Sequence, residues 1–439
     1  MHAKGTKMNW FRAVLVSLPF FVLTLFWQAY DYVVPLILSG HYKLSTTVYS
    51  MVMSADNVIA LIFLPLFGAL SDRISGKLGR RTPLILIGTF GGMAGLLFMI
   101  LEDKKAVTGT SSFLPFLIFL LISVFFMSMN RAPGAAIVTD SFVRPQRTKA
   151  NAVLNLMAGF AGVIFGIVGH MLITEQGGVT VFTGCLVFVI IAMTLGTLLY
   201  LASVRENRFV EEVRAKNHAL GLIDEKTDEN NSAPTSLTAD EKKSLIMILT
   251  SVLFIYMGYN GFHTHYTNFL VRHLNKSASW TGPYLTEVGV GMLMMIPAAF
   301  ITAKLGRKRS SLVGMAALTT GFFGVSTVTA QHPGSIYLWF FIAAMGFPLF
   351  AINLGPMVLE LGKDSDSGRY MGFYYAAVTG AQIITPTLAS FFINAHGYGI
   401  IGVYGAICTL TAFLLMFPVK HGDVKPDFMR AFRDSTEVE

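Results

Sequence analysis

FLPFLIFLLISVFF, residues 113–126, is a run of apolar residues that contains a single serine. A helix of about 20 apolar residues is long enough to cross a hydrocarbon core of about 30 Å. A strand of a membrane β-barrel would show short alternating segments instead, so this continuous run excludes a barrel. The stretch therefore predicts a transmembrane helix.

Similar runs recur along all 439 residues, of which 53% are hydrophobic and 13% charged. An ordinary soluble domain is about 25% charged, so the composition points to the bilayer. Twelve spans are predicted, over residues 12–38, 47–70, 83–101, 113–139, 151–174, 180–204, 244–271, 281–303, 311–331, 336–361, 371–394 and 398–419. The predicted fold class is an all-α membrane protein with 12 transmembrane helices.

The sequence argues against several other classes of protein. The first apolar run lacks a small-residue cleavage site, so we expect a retained helix and not a signal peptide. No phosphate loop, catalytic triad or nucleotide-binding module is recognisable, so we expect no enzyme, no cofactor and no use of ATP. Cys185 and Cys408 fall in predicted spans and indicate neither a disulfide framework nor a metal site.

The net charge of +8 follows the membrane and does not indicate a nucleic-acid partner. With the N-terminus inside, 27 of the 33 lysines and arginines lie on the cytoplasmic side, while Arg131 lies within a span. Those left outside are Lys43, Lys104, Lys105, Arg272 and Lys276. The positive-inside rule therefore predicts a multi-pass protein of the cell membrane with both termini in the cytoplasm.

One long polar segment, residues 205–243, separates the sixth and seventh spans. Its composition predicts a cytoplasmic linker, with helical charge patterning over residues 205–216. The predicted organisation is an N-terminal six-helix bundle (1–204), this linker (205–243), and a C-terminal six-helix bundle with a short cytoplasmic tail (244–439). A role of the linker in regulation stays open beside that of a plain connector.

The two halves echo each other at corresponding positions. The loop after span 2 reads GALSDR (68–73) and then GRR (79–81), and the loop after span 8 reads AKLGRKR (303–309). Span 4 ends near Asp140, followed by Arg147, and span 10 ends near Glu360, followed by Arg369. These echoes favour duplication of a six-helix unit.

The pattern G-x-x-x-D-R-x(5)-G-R-R, from Gly68 to Arg81, resembles the signature loop of the major facilitator superfamily, and the layout of six plus six spans resembles it too. The resemblance implies two pseudo-symmetric bundles and transport by alternating access. A small Gly68 would permit close helix contact, and Asp72 would accept hydrogen bonds from a helix end and from the loop arginines. The alternative is that these arginines only obey the positive-inside rule. The candidate cytoplasmic gate comprises Gly68, Asp72, Arg73, Gly79, Arg80, Arg81, Arg147, Glu360 and Arg369, and the lock of the second copy should be weaker because Ala303 replaces its aspartate.

Finer motifs resemble the sucrose transporters and the glycoside-pentoside-hexuronide cation symporters. They are Ser71-Asp72-Arg73, Gly79-Arg80-Arg81-x-Pro83, Asp140-x(6)-Arg147-x(2)-Ala150-Asn151 and Gly368-x-Tyr370-x-Gly372. In the sucrose branch the acid that ends helix 4 is associated with proton coupling, and Asp140 occupies that position. The helix-4 arginine of that branch falls on Ala135, with Arg131 one turn earlier. Ala60 and Leu64 stand where sodium-using members carry paired acids, so sodium coupling is not indicated.

Charges within the spans mark candidate proton-coupling residues. An arginine at mid-membrane costs about 2.5–3.5 kcal/mol on insertion scales, so Arg131 needs an aqueous cavity or an acidic partner. Helix rise places Asp56 at a compatible depth, and we hypothesise that Asp56 and Arg131 pair in at least one state. The candidate proton-coupling residues are Asp140, Arg131 and Asp56, of which Asp140 would stand nearer the cytoplasmic mouth. A static ion pair between packed helices is the alternative.

Aromatic and polar side chains within the spans are candidates for substrate binding, because sugar rings bind aromatic faces beside hydrogen-bonding groups. An aromatic belt at the interface explains some of the tyrosines equally well, and buried hydrogen bonds explain Tyr374 and Gln382. His263 and His265 point to different faces of one helix, which argues against a shared metal site and favours the outer vestibule. The candidates are Trp27, Gln28, Tyr30, Asp31, Tyr259, Asn260, Tyr374 and Gln382.

Together these patterns predict a proton-coupled importer of a glycoside or small oligosaccharide. An exporter or uniporter of another small solute on the same scaffold is the first alternative, and a membrane sensor that transports nothing is the second. The expected partners are a small-molecule substrate, protons and the lipid bilayer, with a functional monomer as the simplest assembly.

Overall fold

The computed structural model describes residues 8–110, 112–143, 146–219, 237–280, 282–362 and 367–423. The predictions for the first seven residues, for residues 220–236 of the linker and for the tail from residue 424 lie outside this part of the chain.

The described chain is almost entirely helical. Its helices are α1 (Trp10–Val16), α2 (Leu18–Gly40), α3 (Thr46–Arg73), α4 (Thr82–Val107), α5 (Phe113–Asp140), α6 (Arg147–Ile164), α7 (Thr183–Ser203), α8 (Glu206–Ala219), α9 (Ala239–Asn268), α10 (Gly282–Leu305), α11 (Arg307–Val325), α12 (Ile336–Leu359), α13 (Ser367–His396) and α14 (Ile400–Met416). π-Helical turns extend α6 (Phe165–Gly169) and α9 (Phe269–His273), and a 3₁₀ turn (Pro333–Ser335) precedes α12. Two short strands, β1 (Thr174–Gln176) and β2 (Val179–Val181), form an antiparallel hairpin.

The predicted twelve-span fold is confirmed. Ten helices of the described chain are long and apolar enough to cross a bilayer, and α11 and the shorter α14 complete the twelve. The fifth predicted span runs to residue 174, whereas the helix ends its π-helical turn at Gly169. Its apolar run continues into the hairpin, and hydropathy alone does not show where a helix ends.

Two elements lie within the predicted linker. Helix α8 starts at Glu206, in the segment with helical charge patterning. Helix α9 starts at Ala239, before the apolar run, because Thr238 and Glu241 form a capping box that satisfies the free N–H groups of its first turn.

Contacts divide the described chain into two units, one holding residues 8–45 and 55–219 and the other holding residues 46–54 and 237–423. Helix α3 therefore starts in the second unit and continues in the first. In the first unit, α2 packs against α6 and α7, and α4 packs against α5 and α7. In the second unit, α9 packs against α13 and α14, and α11 packs against α12 and α14. The same pairing in the same order is what duplication of a six-helix unit produces.

Glycines allow the closest helix pair of each unit. A Cβ at Gly88 of α4 would overlap the backbone of Phe126 and Asn130 on α5. In the second unit, Gly314 of α11 and Gly346 of α12 face each other's carbonyl oxygens at comparable closeness. Small residues let helix backbones approach in this way within a membrane.

Candidate functional site

The loop between α3 and α4 forms a cluster of ion pairs within the first unit. The Arg81 guanidinium reaches Asp72 at the end of α3 (Nη2–Oδ1, 2.7 Å) and Asp140 at the end of α5 (Nε–Oδ2, 3.0 Å). It also donates to the hydroxyl of Ser71. Arg80 adds a second ion pair to Asp140 (Nη2–Oδ2, 2.9 Å). Charge-assisted bonds of this kind fix the ends of α3, α4 and α5 to one another.

A carboxylate that the sequence reasoning missed completes this cluster. Glu206, at the start of α8, is 3% exposed and accepts the backbone N–H groups of Arg80 (2.8 Å), Arg81 (2.9 Å) and Thr82 (2.9 Å). The Thr82 hydroxyl donates to the same carboxylate (2.8 Å). The carboxylate oxygens satisfy the N–H groups at the N-terminus of α4 that have no partner within the helix. The negative charge also interacts favourably with the positive end of the helix dipole. Gly79, with a φ of 96°, brings the loop so close that a Cβ would overlap Glu206.

The second unit repeats this arrangement with fewer charges. Glu360, at the end of α12, pairs with Arg307 at the start of α11 (Oε1–Nε, 2.9 Å). Asp423 accepts the backbone N–H of Lys308 (2.8 Å), as Glu206 accepts those of α4. Gly306 has a φ of 87° and precedes α11, as Gly79 precedes α4. Arg307 thus pairs with Glu360, and Arg80 and Arg81 pair with Asp140.

Four of the predicted gate residues take other positions. Arg73 is exposed, Arg147 donates to the backbone oxygen of Phe142 (3.3 Å), and Arg369 lies over the ring of Phe373 (5.6 Å). A Cβ at Gly68 would meet only Ala132, at 3.9 Å, which is an ordinary contact. In this conformation the helix approach at Gly68 does not require a glycine.

Two charged side chains within the spans of the first unit lie near a third, Asp56. Asp31 on α2 and Arg131 on α5 both lie within electrostatic range of Asp56 on α3. Asp56 also accepts a hydrogen bond from the side chain of Asn57 (2.8 Å). Asp31 and Arg131 are exposed and Asp56 is half-buried, so none of the three is sealed into the packed helices. Asp31, predicted as a substrate residue, therefore belongs to the charged group as well.

The aromatic residues of α2 lie one turn from this group. The Trp27 ring meets Tyr30 edge-on (5.3 Å between centroids) and also meets Phe26 edge-on (5.2 Å). Tyr30 is buried, whereas Trp27 and Gln28 are half-buried. The indole nitrogen of Trp27 has no hydrogen-bond partner among the described residues. Trp27 and Gln28 are thus better placed than Tyr30 to contact a ligand.

A second aromatic cluster, in the second unit, centres on Tyr259 of α9. Its ring lies against His263 (4.2 Å between centroids) and against Phe347 of α12 (4.6 Å). His263 forms an ion pair with Glu287 of α10 (Nε2–Oε1, 2.8 Å). The sequence places these residues on separate spans, and only the fold shows that the imidazole and the carboxylate meet.

Tyr374 of α13, another predicted substrate residue, is buried beside this cluster. Its hydroxyl lies 3.4 Å from that of Tyr256 on α9. The two hydroxyls therefore satisfy each other in this conformation.

Asn260 and Gln382 meet for a structural reason. Pro386 interrupts α13 and has no N–H, so the backbone oxygen of Gln382, four residues earlier, has no donor within the helix. The side chain of Asn260 donates to that oxygen (3.3 Å), and the Nε2 atom of His265 donates to the Pro386 oxygen (3.1 Å). Since a carbonyl only accepts, the Nδ1 atom of His265 is the acceptor for the Tyr49 hydroxyl (2.6 Å). The sequence suggested that His265 lines the outer vestibule. His265 is instead fully buried.

The comparisons with known proteins agree with this architecture. The model of the Major Facilitator Superfamily matches residues 16–353 and 248–433. The chain belongs to this superfamily. It is therefore a secondary transporter of a small molecule and not an enzyme. No curated protein matches the sequence.

Several solved transporters have a similar structure. A D-xylose-proton symporter has a TM-score of 0.70 at 15% identity, with 94% of this chain and 99% of that chain covered. The peptide transporter POT, a mutant in complex with alafosfalin, has a TM-score of 0.68 at 13% identity, covering 92% and 93%. The nucleoside transporter NupG, also a mutant, has a TM-score of 0.67 at 11% identity, covering 93% and 98%. At these identities the similarity shows the fold alone.

Proposed function

We propose that this transporter imports a glycoside or small oligosaccharide together with protons, by alternating access, across the cell membrane. Its termini lie in the cytoplasm and the monomer is the working unit. The observation that carries the proposal is the group formed by Asp31, Asp56 and Arg131 in the first unit.

That group contains two carboxylates and one guanidinium. With all three ionised it carries one net negative charge, and one bound proton removes it. Charges at mid-membrane are costly unless they are paired or hydrated, so loss of the net charge favours enclosure of the group. If the carrier then releases this proton on the cytoplasmic side together with the sugar, the inward movement of the proton is coupled to the uptake of the sugar. The proton gradient, with about 2.3 kcal/mol per charge for each 100 mV of membrane potential, supplies the driving force.

The nature of the substrate rests on the aromatic residues and on the sucrose and glycoside motifs. Trp27 offers a half-buried face and an indole N–H without a partner in the described chain, next to the amide of Gln28. In the second unit, Tyr259 offers a separate candidate face. Sugar rings bind such faces through their C–H groups and use nearby polar groups for their hydroxyls. The structural neighbours carry a pentose, peptides and nucleosides, so they favour none of these over a glycoside.

The ion-pair cluster of Asp72, Arg80, Arg81 and Asp140 would act as the cytoplasmic gate of the first unit. Arg307 and Glu360 would act as its counterpart in the second. Opening either gate would change several charge-assisted bonds at once, which favours two discrete states over a continuum. This role places Asp140 in the gate and leaves proton binding to Asp56 and its neighbours.

The test is uptake of radiolabelled sucrose, maltose and lactose into proteoliposomes, with and without an imposed inward proton gradient. The wild type is compared with Asp56→Asn. We expect gradient-driven accumulation in the wild type and a lower accumulation in the variant, while exchange of labelled for unlabelled sugar continues. Sugar movement that ignores the gradient would leave a uniporter, and transport of none of these sugars would redirect the search to export of another solute.

A further inference from the structure

The second unit has one carboxylate between residues 244 and 359, and that carboxylate, Glu287, is paired. Its Oε1 atom lies 2.8 Å from the Nε2 atom of His263, and the two side chains are 16% and 30% exposed. Both residues are thus accessible in part, as groups that exchange protons must be.

The other charged groups of the elements around this pair are remote or already engaged. On α10, Lys304 lies 17 positions from Glu287, about 25 Å along the helix. On α9, His265 uses both ring nitrogens on Pro386 and Tyr49. The π-helical turn that follows α9 contributes Arg272, which lies over the ring of Tyr398 (5.9 Å). The charged and titratable side chains at the cytoplasmic ends of the surrounding helices are Asp240, Glu241, Lys242, Lys243, Arg307, Lys308, Arg309, Glu360, Arg369, Lys420, His421 and Asp423, and those at the outer ends are His273, Lys276, His332 and His396.

We propose that His263 and Glu287 form a second proton-binding site, which contributes one coupling proton in addition to that of the Asp31, Asp56 and Arg131 group. The inference rests on the proposed function. With a neutral imidazole and an ionised carboxylate the pair carries a charge of −1. One proton brings that charge to zero, either as imidazolium with carboxylate or as imidazole with carboxylic acid. The hydrogen bond persists in both states, so the difference is the charge that must be enclosed.

The site is connected to the aromatic cluster that would hold the sugar. The ring of His263 lies against Tyr259, and the Tyr259 ring also contacts the Phe347 ring. An imidazolium attracts the face of a tyrosine more strongly than a neutral imidazole does. Proton binding at His263 thus orders the ring that the substrate contacts. This gives the proton and the sugar a common residue, Tyr259.

A purely structural hydrogen bond between α9 and α10 is the competing explanation, and Glu287→Gln separates the two. Glutamine still accepts the hydrogen bond from His263, but the pair is then neutral without a proton, and a proton on His263 would give it a charge of +1. Enclosure of the pair therefore no longer favours proton binding. Glu175→Gln, on the exposed strand β1, is the matched control. The purified full-length wild type and both variants are reconstituted and assayed with radiolabelled sucrose, maltose and lactose. Exchange of labelled for unlabelled sugar shows that each protein folds and binds.

Under an inward gradient of one pH unit without voltage, each coupled proton permits about tenfold accumulation, because one pH unit is worth about 1.4 kcal/mol per proton. We expect about hundredfold as the limit for the wild type and the control, and a limit about tenfold lower for Glu287→Gln, with exchange retained. Equal accumulation in the wild type and Glu287→Gln would overturn the second site alone. A wild type without gradient-driven accumulation would overturn the proposed function and the second site together.

Infrared difference spectra provide a readout that needs no substrate. Spectra recorded at about pH 5 and pH 8, the range in which histidine titrates, should show a change in the carboxylate bands of the wild type that Glu287→Gln lacks, because proton uptake by the pair changes the charge or the hydrogen bond of the Glu287 carboxylate. Identical difference spectra for the two proteins would contradict proton binding by the pair.

Discussion

The backbone N–H of Arg81 donates to the carboxylate of Glu206 (2.9 Å to Oε1), while the side chain of the same arginine reaches Asp140 (3.0 Å). One residue thus joins the N-terminus of α4 to α8 through its backbone and to α5 through its guanidinium. The ion-pair cluster of the loop and the start of α8 are therefore parts of one structure.

Replacement of Glu206 should lower the stability of the first unit. Glu206→Ala leaves the buried N–H groups of Arg80, Arg81 and Thr82 without their acceptor, and an unsatisfied buried donor costs about 1–3 kcal/mol. We expect thermal unfolding in detergent to shift several degrees lower. Glu211→Ala, on the exposed side of the same helix, is the control and should unfold like the wild type. Equal unfolding temperatures for the two variants would show that water replaces the carboxylate without loss.

Asp140→Asn should slow transport without changing its thermodynamic limit, if Asp140 belongs to the gate. The change removes the charge that holds Arg80 and Arg81 at 2.9 Å and 3.0 Å, so the closed gate is weakened. The initial rate of gradient-driven uptake should fall, while the steady accumulation stays at the wild-type level. Glu360→Gln should behave in the same way, because it removes the charge that pairs with Arg307. A loss of accumulation in Asp140→Asn would instead assign the coupling proton to Asp140, as the sucrose-branch resemblance implies.

Much of the fold could be predicted because each transmembrane helix leaves its own apolar run in the sequence. The gate loop could be recognised because Gly68 to Arg81 are close in sequence. Glu206 could not, since its contacts to Arg80 and Arg81 join positions more than a hundred residues apart. The only sign of the role of Glu206 in the sequence was an acidic residue just after the end of the sixth span. Asp423 stands in the same position after the last span.

The second-unit site shows the same limit. His263 and Glu287 each appear in the sequence as an isolated polar residue within a span, and periodicity does not show that they meet. Asn260 was predicted as a substrate residue because of its position, yet its partner is a backbone oxygen that Pro386 leaves without a donor. Pro386 lies four residues after Gln382 on α13, whereas Asn260 lies on α9. The sequence around Asn260 therefore gives no sign of the oxygen that Pro386 leaves without a donor.

Exchange of the charges at Asp56 and Arg131 tests whether they form a static pair. Each single change, Asp56→Arg or Arg131→Asp, should reduce the amount of folded protein in the membrane, because it leaves like charges close together. The double variant should recover folded protein, measured by size-exclusion chromatography in detergent. It should not recover gradient-driven uptake, because Asp31 then faces an arginine at position 56 and a carboxylate at position 131. Recovery of coupled uptake would make the pair static and end its proposed role in coupling.

The end of the first unit opposite the ion-pair cluster should be more stable at acidic pH. His41, which follows α2, bonds to Asp103 (Nδ1–Oδ1, 2.5 Å) and to the backbone oxygen of Thr180 on β2 (Nε2–O, 2.9 Å). Burial lowers the pKa of His41, but the hydrogen bond and charge of Asp103, with the Thr180 oxygen, raise it more, so the net pKa lies above the ordinary value. A pKa raised in the folded state adds stability that is complete below the unfolded value of about 6.5 and is lost as pH rises through the folded value.

The unfolding temperature of the wild type should therefore fall as pH rises from about 6 through neutrality, and His41→Gln should flatten that dependence. His218→Gln, near the end of α8, removes a histidine that is exposed and should leave the pH profile as it is in the wild type. Parallel pH profiles for the wild type and His41→Gln would contradict the contribution of the His41 and Asp103 pair.

Tyr259 should contribute to substrate affinity through its ring more than through its hydroxyl. The ring lies between His263 and Phe347, at 4.2 Å and 4.6 Å, and a sugar stacked on such a cluster gains contact area at little cost in side-chain freedom. Tyr259→Phe keeps the ring and should leave KM for sugar exchange within about threefold of the wild type, whereas Tyr259→Leu should raise KM about tenfold, the loss of about 1.4 kcal/mol. Tyr375→Leu, an exposed position on α13, should not change KM. Equal KM values for the Phe and Leu variants at position 259 would place the sugar away from this cluster and leave Trp27 in the first unit as the candidate face.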